Sequence, residues 1–132
     1  MKSLEDIAAW LESTLDVGDG IYINHIDANK QRCVGVYSRA KAGKQYIAIG
    51  GQEATLTAEK SISVLVHWTN NADTAETKAH QVYQALQDMM GDPGMGVYHS
   101  TFNAAEPISV GRDEYGIFEY VIEVKLLYER KE

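Results

Sequence analysis

The sequence predicts an α+β fold, in which two amphipathic helices pack on one face of a mostly antiparallel β-sheet. Segments 4–16 and 73–90 repeat apolar residues at spacings of three and four, which is typical of helices that bury one side. Segments 60–69 and 118–128 alternate apolar and polar residues, which is typical of strands. The apolar faces of these strands give the helices a surface to cover, and this arrangement satisfies the order of the elements with short connections.

The first helix is predicted from about residue 4 to residue 16. Ser3 and Asp6 resemble a capping box in which Asp replaces the usual Glu. Gly18 and Gly20 end the helix. The stripe that this helix would bury is formed by Leu4, Ile7, Ala8, Leu11 and Leu15.

Two strands are predicted next, from Ile21 to Ile26 and from Arg32 to Tyr37. The polar residues 27–31 between them are typical of a turn that joins antiparallel neighbours, so the two strands are expected to form a hairpin. Residues 38–44 are predicted to be a loop, and residues 45–51 a short strand. In the long strand at 60–69, the apolar face consists of Ile62, Val64, Val66 and Trp68.

The second half of the chain begins with a helix, predicted from about residue 73 to residue 90 and ended by Gly91 and Pro93. A short strand is predicted at 97–102. Residues 107–111 are expected to pair with the final strand through a turn enclosed by two glycines. The continuous apolar face of that final strand consists of Phe118, Tyr120, Ile122, Val124, Leu126 and Tyr128.

The composition indicates one globular domain that spans residues 1–132. Hydrophobic residues make up 45% and charged residues 23%, which are ordinary values for a folded protein. Cys33 is the only cysteine, so no disulfide within the chain can form. The acidic N-terminal segment is unlike a secretory signal, and no membrane partner is expected. The formal net charge of −7 argues against specific nucleic acid binding.

A search for catalytic and ligand-binding motifs gives a negative expectation. His25, His67, His80 and His99 lack the spacing of known metal-ligand motifs, so no metal site is predicted. No serine or cysteine nucleophile motif is present. The glycine-rich segment 91–96 lacks the lysine that binds phosphate in a phosphate-binding loop. The acidic pairs Asp113/Glu114 and Glu119/Glu123 are typical of a solvated turn and strand face. We therefore expect no catalytic residue and no cofactor.

The predicted loop 38–44 carries the only local cluster of basic residues, Arg39, Lys41 and Lys44. A solvated hairpin tip is the simplest interpretation. A second interpretation is contact with nucleic acid, although only the rings of Tyr37 and Tyr46 could stack on bases. A third is contact with an acidic surface of another copy of the chain, which the acidic remainder of the sequence favours.

Two stretches of the chain, 47–86 and 106–129, resemble the small minor capsid or tail terminator proteins of tailed bacteriophages and prophages. The resemblance rests on the order of a first helix, a hairpin, a strand of the KSISVLVHWT type, a helix rich in small residues, and a glycine-bounded turn before a long closing strand. It implies a non-enzymatic virion component, assembled in the host bacterial cytoplasm, that forms a ring on the tail tube, stops tube growth and meets the head connector.

The resemblance also implies partners and contact residues. The expected partners are copies of the same chain in a hexameric ring, the tail tube protein and the head–tail connector protein. A ring through which DNA passes should not bind the DNA tightly, so the channel lining is expected not to be basic. The residues expected at subunit or tube contacts are Arg39, Lys41 and Lys44 of the basic loop, and Arg112, Asp113, Glu114 and Tyr115 of the final turn.

Three other functions stay open from the sequence. A head completion or connector adaptor protein would occupy a neighbouring place in the virion. A small α+β ligand-binding module would have a preformed apolar cleft. An enzyme would assemble a pocket from scattered residues, among which His25, His67, His99 and Glu123 are the candidates.

Overall fold

A computed structural model describes residues 3–39 and 57–129 of the chain. The elements follow in the order α1 (Leu4–Thr14), β1 (Ile21–Ile23), β2 (Arg32–Ser38), β3 (Thr57–Trp68), α2 (Ala72–Asp88), β4 (Val97–Phe102), β5 (Ile108–Arg112) and β6 (Phe118–Glu129), with a short 3₁₀ turn, Met89–Gly91, after α2. The predicted strand at 45–51 lies outside the described residues, as do Lys41 and Lys44.

The described strands form one six-stranded sheet in the order β1-β2-β3-β6-β4, and β5 also pairs with β6. Five pairs of neighbouring strands are hydrogen-bonded in this sheet. Four of the pairs are antiparallel, and the pair of β1 with β2 is parallel. β3 and β6 are the longest strands and pair along most of their length, from Thr57 opposite Glu129 to His67 opposite Glu119. The predicted α+β fold with a mostly antiparallel sheet is confirmed.

The two faces of β3 and β6 differ as the alternation predicts. We call the side with the even-numbered residues the inner face; its buried members are Ile62, Val64, Val66, Ile122, Val124 and Leu126. The side with the odd-numbered residues is the outer face, and it carries Ser63, Leu65, His67, Glu119, Val121 and Glu123. Leu65 is only partly exposed. The helices therefore have a continuous apolar layer to cover.

Both helices bury their apolar stripes in one core: α2 packs on β3 and β6, and α1 packs on β1, β2 and α2. Ile7 and Leu11 of α1 and Val82 and Leu86 of α2 are fully buried in the same core as the even-numbered residues of β3 and β6. Burial of one such side chain contributes about 1.5–3 kcal/mol relative to exposure. The core thus explains why two helices of moderate length persist in a small domain.

The helix ends are fixed by local hydrogen bonds. Ser3 and Asp6 form the predicted capping box, with the amide of Asp6 donating to Ser3 Oγ at 3.0 Å and the amide of Ser3 donating to Asp6 Oδ2 at 3.1 Å. α1 ends at Thr14, two residues before the predicted end, because Leu15 takes an extended backbone conformation. α2 begins after Asn71, whose side chain accepts from the amide of Thr74 at 3.0 Å.

The prediction of a hairpin between β1 and β2 was wrong. β1 ends at Ile23, and the two strands pair in parallel, with Ile21 opposite Val34. The connecting segment crosses the outer face above Gly35, where an added Cβ would lie 2.7 Å from Cγ2 of Ile26 and 2.9 Å from a backbone oxygen. Because Gly35 has no side chain, the chain can return over the sheet to enter β2 in the same direction as β1.

One edge of the sheet is formed by β4 and β5, which pair with successive parts of β6. Every residue of β5 is exposed, and the exposed apolar side chains on this edge and in the following turn are Tyr98, Ile108, Val110 and Tyr115. The opposite edge is the short strand β1, where Ile23 is also exposed. No helix in the described part of the chain has the length and apolar character to cross a membrane.

Candidate functional site

The turn between β5 and β6 is held in one shape by the carboxylate of Asp113. Asp113 Oδ1 accepts from the amides of Tyr115 and Ile117, both at 2.9 Å. The amide of Gly116 donates to the carbonyl of Asp113 at 3.0 Å, and Gly116 has a φ of 81°, which glycine adopts without strain. Ile117 is buried, whereas the ring of Tyr115 is 61% exposed. The turn therefore presents an aromatic side chain on a rigid support.

The second carboxylate oxygen of Asp113 faces the outer face of the sheet, where it meets His67 of β3. Nε2 of His67 lies 3.7 Å from Asp113 Oδ2, and Nδ1 of the same ring lies 3.0 Å from Glu119 Oε2 of β6. The side chain of His67 is 0% exposed, and the carboxylates are 16% and 19% exposed. We call these three residues the His67 cluster. They are the only group in the described part of the chain with the composition and spacing of a metal site.

The cluster has one satisfied contact and one unsatisfied contact. Nδ1 of His67 lies within hydrogen-bond distance of Glu119 Oε2, and the ring form with its hydrogen on Nδ1 satisfies this contact, because a carboxylate accepts hydrogen bonds. Nε2 of His67 and Oδ2 of Asp113 are both buried, and neither has a hydrogen-bond partner. Their separation of 3.7 Å is too long for a hydrogen bond between them.

Cys33 of β2 lies opposite His67 in the sheet. Burial raises the pKa of its thiol from 9.0 to about 11, although a hydrogen bond to a backbone carbonyl lowers it in part. That carbonyl belongs to Asp27, 3.9 Å from the sulfur. A thiol with this pKa is protonated at neutral pH, so Cys33 lacks the thiolate that nucleophilic catalysis requires.

A second polar group lies four residues further along β6, at Glu123. Arg39 Nε is 4.0 Å from Glu123 Oε2, and Asn103 donates to Glu123 Oε1 at 2.8 Å. Four strand residues correspond to roughly 13 Å, so this group is separate from the His67 cluster although both lie on the outer face. Between them lie Leu65 and Val121, which are partly exposed.

A shallow groove of about 250 Å³ runs beside the rigid turn, between it and the segment that connects β1 and β2. It is lined by Ala28, Asn29, Lys30, Gln31, Tyr115 and Ile117. Its small size and mixed lining are unlike a preformed apolar cleft for a small molecule. One side of Tyr115 faces this groove.

Of the two predicted contact groups, the structure describes the whole of the β5–β6 turn but only Arg39 of the basic loop. Arg112, Asp113, Glu114 and Tyr115 follow one another around the β5–β6 turn, with Glu114 and Tyr115 exposed. Asp113 instead points inward to His67. Arg39 is held in its own ion pair with Glu123, away from the turn.

The His67 cluster was missed from the sequence because its members are far apart in the chain. The alternation predicted that His67 and Glu119 lie on the polar faces of their strands, but it gave no pairing register that would place them opposite each other. Of the four residues considered for an enzyme pocket, only His67 belongs to this cluster, and Glu123 lies in the separate group with Arg39.

A comparison with protein families gives one match that covers almost the whole chain. Residues 4–130 match the model of a family described as bacteriophage tail terminator protein. The matched range includes both helices and all six strands of the described structure. No curated protein matches the sequence.

Proposed function

The chain belongs to the bacteriophage tail terminator family, and from this we propose that it caps the end of the tail tube and joins the tube to the head connector. The observation that carries the proposal is the extent of the family match, residues 4–130. The family is structural, and we propose that this member too acts by assembly and not by catalysis. Its place is the phage virion, and we propose assembly in the host bacterial cytoplasm.

The exposed edge of the sheet is the surface that we assign to contact between subunits. β5 is exposed along its whole length, and Ile108 and Val110 project apolar side chains from it. A ring of identical subunits in head-to-tail contact needs two different surfaces on each copy. The second surface is the opposite edge at β1, where Ile23 is exposed. These two different edges support a closed ring of subunits in head-to-tail contact, and a ring of six is the size that we propose.

The β5–β6 turn is assigned to contact with the tail tube protein or with a neighbouring subunit. Its hydrogen bonds fix the backbone before binding, so little conformational entropy is lost on contact. Tyr115 offers a large apolar surface with a polar end, which is a common anchor in protein interfaces. Arg112 and Glu114 are proposed as the flanking charged contacts, and Arg39, Lys41 and Lys44 as a second contact group.

The net charge of −7 supports passage of DNA without binding. A channel lined by basic groups would retain the phosphate backbone, whereas an acidic or neutral lining lets it move. We therefore propose that the surface of the ring facing the channel is not basic. A map of the assembled ring in which arginine and lysine side chains line the channel would contradict this.

The role itself is tested by deleting the gene from a phage that carries it and measuring tail length by electron microscopy. A tail terminator predicts tails of uncontrolled, excessive length that do not join heads, and recovery of normal length when the wild-type gene is supplied. Tails of normal length beside unjoined heads would instead indicate a head completion or connector adaptor protein.

The subunit contact is tested by supplying variants in the same assay. Val110→Lys places a charge on the exposed edge strand and is expected to abolish the recovery of tail length. Gln84→Lys, on the exposed side of α2, is the matched control and should recover tail length as the wild type does. If Val110→Lys also recovers it, the edge at β5 is not the contact.

The basic loop has its own test. Reversal of charge at Lys41 and Lys44 together is expected to reduce the number of tails of normal length, because the proposed contact partner is acidic. Unchanged assembly with this double variant would show that the loop makes no necessary contact.

A further inference from the structure

At the centre of the His67 cluster, two buried polar atoms face each other without a hydrogen-bond partner: Nε2 of His67 and Oδ2 of Asp113. We propose that it binds one divalent transition-metal ion, with Zn²⁺ preferred, between Nε2 of His67 and Oδ2 of Asp113. Glu119 orients the imidazole ring from its other side. The inference is independent of the proposed role in the tail.

The orientation of the imidazole ring supports this assignment. Glu119 Oε2 lies 3.0 Å from Nδ1 and fixes the hydrogen on that nitrogen. In the neutral ring, Nε2 then has a lone pair that faces the carboxylate of Asp113, which is repulsive unless a cation lies between them. A histidine whose second nitrogen is hydrogen-bonded to a carboxylate is the usual arrangement of a zinc-binding histidine.

The distance between the two unpartnered atoms is also suitable. Nε2 and Oδ2 are 3.7 Å apart. Two metal–ligand bonds of about 2.1 Å that meet at an angle of roughly 125° span this distance, and both values are compatible with four-coordinate Zn²⁺. A direct hydrogen bond would require the atoms to be closer.

Charge balance distinguishes a metal ion from a proton. The two carboxylates carry a charge of −2 between them when the imidazole is neutral, and a divalent cation cancels it. A proton on Nε2 would leave the buried group with a net charge of −1. The nitrogen ligand favours Zn²⁺ over Mg²⁺ and Ca²⁺, which prefer oxygen ligands.

The support of the site is already formed without the ion. Asp113 Oδ1 is fixed by two backbone amides, so Oδ2 points to His67 at no further cost of ordering. The side chains of Asp113 and Glu119 are 16% and 19% exposed, but Nε2 and Oδ2 themselves are buried, so the ion and its water ligands enter through a small movement of these side chains. With two ligand atoms from the protein, water completes the coordination, and we expect binding to be weaker than at a four-ligand structural site.

Metal binding is tested on the purified full chain, free of any affinity tag and treated with a chelator. Isothermal titration with Zn²⁺ is expected to show one saturable site per chain. Nuclear magnetic resonance of the histidine rings should show a change at Nε2 of His67 when Zn²⁺ is added. The absence of saturable binding, or a doubly protonated His67 ring that Zn²⁺ leaves unchanged, would overturn the proposal.

Matched variants identify the ligands. Asp113→Asn keeps an oxygen for the two amides of the turn but replaces the carboxylate, and it is expected to weaken Zn²⁺ binding at least tenfold. Glu119→Gln should weaken it about tenfold to hundredfold, as is usual for a group that orients a ligand. Glu114→Gln, on the same turn, and His99→Gln, an exposed histidine, should bind as the wild type does. Wild-type affinity in Asp113→Asn would overturn the assignment, provided that its circular dichroism spectrum shows the native fold.

Discussion

The two faces of β3 and β6 carry opposite kinds of side chain on the same backbone. On the inner face, Ile62, Val64 and Leu126 are fully buried and belong to the same apolar core as residues of both helices. On the outer face, His67 is equally buried, but among carboxylates and under a turn. Burial alone therefore does not define the core of this protein. The inner face supplies stability, and the outer face holds the polar groups of the proposed metal site.

The strongest test of this difference uses neighbouring leucines of β6. Leu126 is buried on the inner face, and Leu127 is partly exposed on the outer face. Leu126→Ala is expected to lower the free energy of unfolding by about 3 kcal/mol, because it leaves a cavity in the core. Leu127→Ala should lower it by about 1 kcal/mol. Urea unfolding followed by circular dichroism measures both, and equal losses would mean that the faces are equally packed.

A second test increases the volume of a side chain on the outer face. Gly35→Ala is expected to destabilise the fold by about 2 kcal/mol, because the added Cβ would overlap Ile26 and the backbone of His25. Gly91→Ala is the control, since a Cβ there meets nothing within 4 Å. If both variants unfold at the same urea concentration, the segment between β1 and β2 does not lie against Gly35.

A smaller effect is expected at the start of α1. Ser3→Ala removes the side chain that accepts from the amide of Asp6 and should cost about 1 kcal/mol. Ser13→Ala removes a hydroxyl that donates to the carbonyl of Trp10 within the same helix, and it should change stability little. A loss at Ser13 that equals the loss at Ser3 would argue against the capping box.

The smallest effect at neutral pH concerns Cys33 on the outer face. The thiol ionises near pH 9.0 when unfolded and near pH 11 when folded, because burial raises its pKa. Between these values only the unfolded state loses the proton, so this group makes stability fall as pH rises from 9 to 11. Urea unfolding at several pH values should show a shallower decline for Cys33→Ala. Parallel declines in the two proteins would contradict the raised pKa.

The sequence predicted the inner face well because periodicity reports burial directly. The alternation of β6 and the helical stripe of α2 each identified residues that lie in the core. The pairing direction was less predictable: the polar residues 27–31 mark a change of direction, but β1 and β2 run parallel, and the segment that connects them passes close to Gly35, which has no side chain. That approach is a contact across the sheet, which no local pattern reports.

The candidate site was predictable only in part, for a related reason. The glycine-bounded turn was expected from local sequence, and the structure shows that Tyr115 on this turn is exposed. The inward direction of Asp113 and its approach to His67 depend on the register of β3 with β6 and on the hydrogen bonds of the turn. A sequence reports which side chains alternate, but not which of them lie opposite each other.

The position of β6 has a consequence for folding. It lies between β3 on one side and β4 and β5 on the other, yet it follows all three in the chain. During synthesis on the ribosome, these earlier strands must therefore wait for β6 before the sheet can close. Contacts between residues far apart in sequence slow folding, so we expect the nascent chain to stay incompletely structured until this segment has emerged.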